Sequence, residues 1–403
     1  MSYFELFFIR KTIILVILFL STSTFALNAQ QKIKNDENYK AIDLSGFKDS
    51  AHHWYDITDH EQFIYPLPGK PRYKPDEITK IADNIVLFQR NNGGWMKNYD
   101  MAAILTDKQK QIMLSTKDND QTTFDNGTTY NQIIYLAKVY NITKIEKYKD
   151  AAIKGIEFVL KAQYPNGGWP QFYPDTSGYR QYITFNDNAM IGNMDMLHQI
   201  LQKKPYFSFV DKSLTTKIES AFQKGIDCIL KCQIKENGEL TSWCQQHDQF
   251  NFQPRGARTF ELPSISGEEG ADVVLFLMSL EHPTNAIIHS VQSAVKWYSD
   301  HKLFGIKIKK ISAPKVVFKF RTSSTDVVVV KDPKASPIWA RFYELGTDRP
   351  LFSGRNSKPV YALADVERER RDGYGWYTYE PQKILDEYPA WQKKWAPEKN
   401  LLR

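Results

Sequence analysis

Cysteine is scarce: the 403 residues contain three, Cys228, Cys232 and Cys244. Disulfide-built scaffolds carry it far more densely and in even numbers, so a cross-linked framework is excluded. Cys228 and Cys232 lie four apart on a helix-like stretch. A tetrahedral zinc site there would need His247 as its fourth ligand. A disulfide to Cys244, or three core thiols, is the simpler reading. Long apolar runs are also scarce. Past Thr12–Leu20 no stretch is long enough to span a membrane. Dense basic runs are missing too: in Glu367-Arg368-Glu369-Arg370-Arg371 the signs alternate, which argues against a nucleic-acid-binding arm. With 25 % charged and 42 % hydrophobic residues, wholesale disorder is excluded as well.

What is there is a mildly basic, aromatic-rich chain, long enough to bury a large core. Aromatic residues make up 14 %. They serve either that core or surfaces that take flat ligands, sugar rings among them. The net charge of +7 points weakly to an acidic partner, nucleic acid or acidic polysaccharide. Arg10 and Lys11, the apolar run after them and Ala26-Leu27-Asn28-Ala29 read as an export signal over residues 1–29, cut after Ala29. An uncleaved anchor is the alternative. The expected location is secreted or periplasmic, with no membrane attachment after cleavage and a charge of about +6.

The strongest organisational signal is a repeat. Ile85-Val86-Leu87-Phe88-Gln89 runs into Asn91-Asn92-Gly93-Gly94-Trp95, and Phe158 to Gln163 runs into Asn166-Gly167-Gly168-Trp169. Cys228 to Gln233 runs into Glu236-Asn237-Gly238 and then Trp243. The three glutamines are 74 and 70 residues apart, a period that fits a helical hairpin with an elaborated loop. Each glycine is expected to stop its helix in the left-handed conformation. Each Trp should pack back over the helix end, and each Gln should bond exposed backbone. A second set of helices shows in the apolar spacing of Thr128–Tyr140, Asn188–Leu201 and Gly270–Leu280. Inner and outer helices alternating three times close most naturally into an α/α toroid. Past Lys310, Val316–Phe320, Val327–Val330 and Trp339–Tyr343 read as short strands. The expected layout is a lead-in at 30–75, a catalytic helical core at 76–310 and a C-terminal substrate-binding lobe, irregular and β, packed on it at 311–403.

A polar, acid-bearing loop precedes each inner helix: Thr122–Thr128, Thr184–Ala189 and Arg258–Ser264. In a toroid these loops face one end of the central cavity. Asp125 and Asp187 then either share a hard cation such as calcium or cap their helices. Glu268 and Glu269, at a helix start, read as capping.

Five motifs carry a resemblance to a known family. They are Asp125-Asn126-Gly127-Thr128, Asn166-Gly167-Gly168-Trp169-Pro170-Gln171, Ile183-Thr184-Phe185-Asn186-Asp187, Ala257-Arg258-Thr259-Phe260-Glu261-Leu262-Pro263-Ser264, and Arg341-Phe342-Tyr343-Glu344 with Phe352-Ser353-Gly354-Arg355. Together, in this order and over residues 75 to 380, they resemble the pectate lyases of polysaccharide lyase family 10. The resemblance implies a mainly α (α/α)₃ toroid, secreted, that cleaves polygalacturonate by β-elimination with Ca2+. It matches Asp125 and Asp187 to metal- and substrate-binding acids, with Asn126 and Asn186 as weaker substrate contacts. Arg258 matches the proton abstractor; Arg255, its near rival there, is otherwise expected to bind substrate. Arg341 and Arg355 match residues that grip uronate carboxylates, as bidentate guanidinium chemistry suits. Arginine is normally locked protonated, so no rule of sequence reading would choose Arg258 as a base. On the residues alone Arg258 pairs with Glu261 or with substrate. A monomer is the default.

Rival readings stay open at this level. The Gln-x-x-x-Gly-x-Trp pattern at Gln89 and Gln163 also occurs in triterpene cyclases, but Asp118-Asn119-Asp120 does not supply their acid motif. A glycoside hydrolase would use Asp125 and Asp187 as its working carboxylates. A non-catalytic pectin binder would keep Arg341 and Arg355 and lose the base.

Overall fold

Burial separates the helices into two kinds. In the computed structural model, which describes residues 39–56, 62–319 and 321–402, the outer helices are α1 (Ile78–Phe88), α3 (Glu146–Ala162), α5 (Lys212–Cys232) and α7 (Asn285–Asp300). Each buries one stripe. In α3 it is Tyr148, Ala151, Ala152, Gly155, Ile156, Phe158, Val159 and Ala162, while Lys154, Glu157 and Lys161 face solvent. The inner helices are α2 (Tyr130–Thr143), α4 (Ala189–Leu201) and α6 (Glu269–Ser279). They are buried on more sides: α4 encloses Ala189, Met190, Ile191, Asn193, Met194, Met196, Leu197 and Ile200. Hairpins α2–α3, α4–α5 and α6–α7 pack inner on outer. Inner helices also touch the next inner helix, and outer the next outer. A last helix, α8 (Glu380–Trp395), covers α6 and α7. The protein is mainly α. The export-signal reading of residues 1–29 lies outside the described residues.

The repeat turns clasp neighbouring hairpins. Gln89 Nε2 donates to the Gly93 carbonyl in its own turn (2.9 Å) and to the Ala151 carbonyl in the next outer helix (2.9 Å). Gln163 does the same to Gly167 (2.9 Å) and Ala221 (2.8 Å). Gln233 bridges Thr241 (2.9 Å) and Ser290 (3.0 Å). Trp95, Trp169 and Trp243 are fully buried, and each indole N–H bonds a carbonyl near the preceding helix end, Ile85, Val159 and Ile229, all at 2.8 Å. These are the roles expected of Gln and Trp. The glycines behave differently from expectation. The helices end because Gln89, Gln163 and Gln233 turn into extended backbone, and the glycine takes positive φ further on, +104° at Gly93 and +96° at Gly167. What they provide is close approach. A Cβ at Gly93 would lie 2.5 Å from the Lys154 carbonyl oxygen, and one at Gly167 2.0 Å from that of Lys224.

Short strands tie the loops together. Ile183–Thr184 (β2), Gln246–His247 (β3) and Pro254–Arg255 (β4) form a three-stranded ribbon with β3 in the middle; Thr122–Thr123 is β1 and Ile265–Ser266 is β5. The C-terminal region opens with a long antiparallel hairpin, β6 (Ile306–Val317) with β7 (Thr322–Lys331), which begins before the expected change of character at Lys310. The expected strand Trp339–Tyr343 is broken at Arg341. Trp339–Ala340 (β8) pairs with Tyr377–Thr378 (β10), and Phe342–Tyr343 (β9) pairs with β5 in the core. A second apolar cluster, including Phe260, Phe342, Phe352 and Trp376, sits beneath this region. Cys228, Cys232 and Cys244 are free, buried core thiols. His247 accepts from the Cys244 backbone N–H (2.9 Å), and its Nδ1 faces the Phe252 carbonyl (2.8 Å).

Gly167→Ala is expected to cost about 3 kcal/mol or more, combining left-handed strain with a backbone clash. Gly238→Ala meets open space at a φ of +90° and should cost only about 1–2 kcal/mol. Urea denaturation of the two variants checks the ordering.

Candidate active site

Each repeat tryptophan also sets the register of an acid loop. The Trp95 carbonyl accepts from Thr123 N–H (3.0 Å), Trp169 from Thr184 (3.0 Å), and Trp243 from Ser266 (2.7 Å). The third loop of the repeat is therefore Ser266–Glu269, not Arg258–Ser264 as the sequence suggested. Two residues after the anchored position come Asp125, Asn186 and Glu268; three after come Asn126, Asp187 and Glu269. The backbone reverses sharply here, with positive φ at Asn126, Thr129, Asp187 and Asn188. Such strain is held only where the surroundings over-determine it.

Asp125 and Asp187 meet. Asp125 is 2 % exposed and accepts from Lys97 Nζ (2.6 Å) and Gln171 Nε2 (2.8 Å). Burial pushes its pKa up, but Lys97, a hydrogen bond with Asp187 and Gln171 outweigh that and hold it down, at about 2. Asp187 goes the other way. Burial and the Asp125 charge lift it well above the carboxylate range, and Arg341 offsets only part. Two adjacent carboxyls, Asp125 buried and Asp187 half-buried, resist ionising together. Neither acid caps its helix: the helix starts at Thr129 and Asn188 carry no side-chain cap. Asn126 donates to Asn98 Oδ1 (2.8 Å). Asn186 donates to Asp187 and accepts from Gln245 Nε2 (3.0 Å) and more distantly from Arg341 (3.4 Å).

Three residues that the sequence reading did not place in the site follow the repeat. Two positions after each Trp stand Lys97, Gln171 and Gln245, and all three side chains reach the acid loops. Gln245 also donates to Glu269 Oε1 (2.6 Å). Glu269 is no cap: it takes the hydroxyl of Ser266 and pairs with Arg341. Glu268, whose side chain makes no cap, lies 3.3 Å from Arg341, and burial raises its pKa to about 7.

The arginines stand in a row alternating with aromatic rings. Arg341, in the seam between β8 and β9 and 12 % exposed, stacks on Tyr374 at 4.7 Å. Arg258 lies 5.5 Å from Tyr374 and 4.9 Å from Phe260. Arg355 lies 5.8 Å from Phe260 and pairs with Glu369 (2.7 and 3.0 Å). Tyr374 donates to Glu261 Oε1 (2.8 Å). Arg258 is paired with Glu261 through its backbone N–H (3.0 Å), Nε (2.8 Å) and a terminal nitrogen. Burial works against its charge, but Glu261 more than offsets that and drives its pKa up. Arg255 is placed apart from this row, on β4, where it pairs with Asp248 (2.8 and 3.0 Å).

A family model described as pectic acid lyase matches residues 89–385. The chain belongs to the pectic acid lyase family. Two similar solved structures agree. One is a family 10 polysaccharide lyase from Cellvibrio cellulosa, 30 % identical at a TM-score of 0.66, covering 87 % of this chain and 98 % of that one. The other is an aspartate-to-alanine mutant of a family 10 polysaccharide lyase from the same organism in complex with trigalacturonic acid, 30 % identical at a TM-score of 0.67, covering 89 % and 100 %. No curated protein matches the sequence. The protein is an enzyme, a pectate lyase. The Gln-x-x-x-Gly-x-Trp pattern shared with triterpene cyclases is architectural here.

Lys97→Met would leave buried Asp125 with Gln171 and its neighbouring acid but no cation. A loss of about 3 kcal/mol is expected, the usual size for breaking a buried ion pair, with Lys97→Arg much milder. Denaturant midpoints of both variants test this.

Proposed function

We propose that the enzyme cleaves α-1,4-linked polygalacturonate by calcium-assisted β-elimination, with Arg258 abstracting the C5 proton. The observation that carries this reading is the Asp125–Asp187 pair, one acid buried and the other half-buried, beside the arginine row. It is an arrangement for anionic sugars, with hard oxygen donors at one end and guanidinium groups along the other.

The donor set fits calcium. Both acids offer oxygen, the ligand type calcium takes, and a cation in place of their shared proton would let both ionise. Among the described residues no cluster of three or more His, Cys, Asp or Glu could hold a metal. Asp125 and Asp187 would hold the ion together with a carboxylate of the substrate. A bound calcium ion supplies Lewis-acid charge against that carboxylate and the enolate charge that develops on it. Arg341 and Arg355 are assigned to carboxylates of the bound chain, which compete there with Glu269 and Glu369, and Asn126 and Asn186 stand beside the acids for hydroxyls.

In the elimination the C5–H bond gives its proton to Arg258. The electrons form the C4–C5 double bond, the C4–O4 bond breaks, and O4 leaves with its pair and takes up a proton from water. Arg258 is 46 % exposed on its side chain, so substrate can reach it. Glu261 opposes this role, because it stabilises the charged guanidinium. Abstraction therefore requires the Glu261 contact to weaken once substrate and cation are bound.

Three broader assignments complete the proposal. The clasped hairpins form an (α/α)₃ toroid, with the C-terminal region as its substrate-binding lobe. The protein is exported, in keeping with a pectic substrate and the signal-like first 29 residues; among the described residues no helix is long and apolar enough to cross a membrane. It works as a monomer.

Polygalacturonate with calcium is expected to yield an ultraviolet-absorbing unsaturated product, abolished by a chelator and restored by added calcium. Reducing ends without that chromophore would favour hydrolysis. Arg258→Ala should retain substrate binding and lose at least about a hundredfold in turnover. Glu261→Gln removes the charge that raises the Arg258 pKa, so more Arg258 is neutral at a given pH. The alkaline rise of the pH–rate profile should then move to lower pH, whatever the absolute rate. An unmoved profile would reassign Arg258 to charge stabilisation.

A further inference from the structure

The three-stranded ribbon that carries the active-site loops has a second end. Its register aligns Thr184, Gln246 and Arg255 at one end and Ile183, His247 and Pro254 at the other. From the first end the chain runs to Asp187, Gln245 and Arg258. From the other it runs to Gln181 and to the loop Asp248–Gln253. Each strand is two residues long, so only about 7 Å of ribbon separates the two ends.

At that second end is a cleft of about 580 Å³ lined by Tyr164, Asn166, Thr176, Gln181, Gln249 and Phe250 among others. Phe250 is 83 % exposed, although burying such a ring would normally be worth about 1.5–3 kcal/mol. The loop that displays it is fixed from several sides. Asp248 accepts from the Phe250 (2.9 Å) and Asn251 (3.1 Å) backbone N–H groups and pairs with Arg255. His247 Nδ1 meets the Phe252 carbonyl (2.8 Å), and burial keeps this imidazole neutral. Asn166 Nδ2 holds the Gln249 carbonyl (2.6 Å). Gln249 Nε2 bonds Gln181 Oε1 (2.8 Å), while its own Oε1 is buried with no hydrogen-bond partner. An exposed ring on a rigid loop, next to amides and a hydroxyl and with no charged side chain in the lining, suits a sugar ring. The apolar face of the sugar stacks on the phenyl, and its hydroxyls meet the amides.

We infer that this cleft is a distal subsite for the same polysaccharide, taking a sugar ring of the chain beyond those held at the acid pair and the arginine row. The inference rests on the lyase reading for the identity of the chain. The cleft reads ring and hydroxyls rather than the carboxylate, so it accepts galacturonate and its methyl ester alike. On this inference a trimer fills the acid pair and the arginine row, and only a longer chain occupies the cleft as well.

Titration calorimetry in an Arg258→Ala background, which prevents turnover, compares trigalacturonate with long polygalacturonate. Polymer should bind more tightly than trimer, and adding Phe250→Ala should weaken polymer binding about tenfold while leaving trimer binding unchanged. Phe250→Trp should keep the polymer preference. In otherwise native enzyme, Phe250→Ala should raise KM for polymer about tenfold at constant kcat, with an unchanged melting temperature. Equal losses on trimer and polymer, or no loss on either, would overturn the subsite. Calorimetry reads the cleft even if the lyase chemistry proves wrong, and a preference for polymer without any unsaturated product would fault the lyase reading and leave the subsite standing.

Discussion

The clasp built from one glutamine and one tryptophan is the constraint on which the rest depends. Gln89, Gln163 and Gln233 each bond their own turn and the next outer helix with a single amide group. That amide satisfies carbonyls that would otherwise be costly to bury. It also fixes the step from one hairpin to the next. The tryptophan then carries the step inward. Its indole seals the helix end, and its carbonyl holds the strand leading into an acid loop. Loops far apart in sequence are thus delivered to one place by three copies of the same local device.

Repetition alone would make a site with three similar corners, and the chemistry lies in how they differ. The position two after each tryptophan is lysine once and glutamine twice. The acid loops offer Asp125, Asp187 and the Glu268–Glu269 pair. As a result the first two corners hold Asp125 and Asp187, with Lys97 paired to Asp125, and in the third Arg341 faces both Glu268 and Glu269. Buried charge survives here because every guanidinium in the row already faces a carboxylate: Arg341 with Glu269, Arg258 with Glu261, Arg355 with Glu369. The site is pre-organised before substrate arrives, and no large field of one sign has to be held together by the fold.

Much of this was legible in the sequence, for a physical reason. A helix end closed by Gln-x-x-x-Gly-x-Trp needs those residue types at that spacing, so Gln89–Trp95 and Gln163–Trp169 stand out unaided. Asp125 and Asp187 were legible as a pair because each closes a short Thr-Phe-acid stretch, Thr123-Phe124-Asp125 and Thr184-Phe185-Asn186-Asp187, just before an inner helix. The third loop was misplaced because Thr259-Phe260-Glu261 repeats the Thr-Phe-acid stretch of the first two, whereas the true third loop, Ser266-Gly267-Glu268-Glu269, lacks it. Lys97 and Gln245 were missed because their roles show only once Trp95 and Trp243 are aligned. Tyr374 lies more than a hundred residues from Glu261 and nothing local announces it. Arg255 and Arg258 are equivalent in composition. Only the ribbon separates them, by giving Asp248 to one and Glu261 to the other.

The pairing of Arg258 with Glu261 bears on how an arginine could act as a base at all. A solitary arginine beside a cation would be easier to deprotonate, but it would have no fixed direction. Glu261 is buried and held by Tyr374, so it aims the guanidinium while leaving one terminal nitrogen outside the bidentate contact. The same contact stabilises the charged form. Orientation and basicity therefore pull against each other at one side chain. The acid pair would not settle that conflict by charge alone. A divalent cation there would replace one proton and meet one substrate carboxylate, so the net charge facing Arg258 would be unchanged. What is left to change is the Glu261 contact itself. Basicity at Arg258 would thus rise only if that contact loosens in the complex, where the C5 proton is in place to be taken.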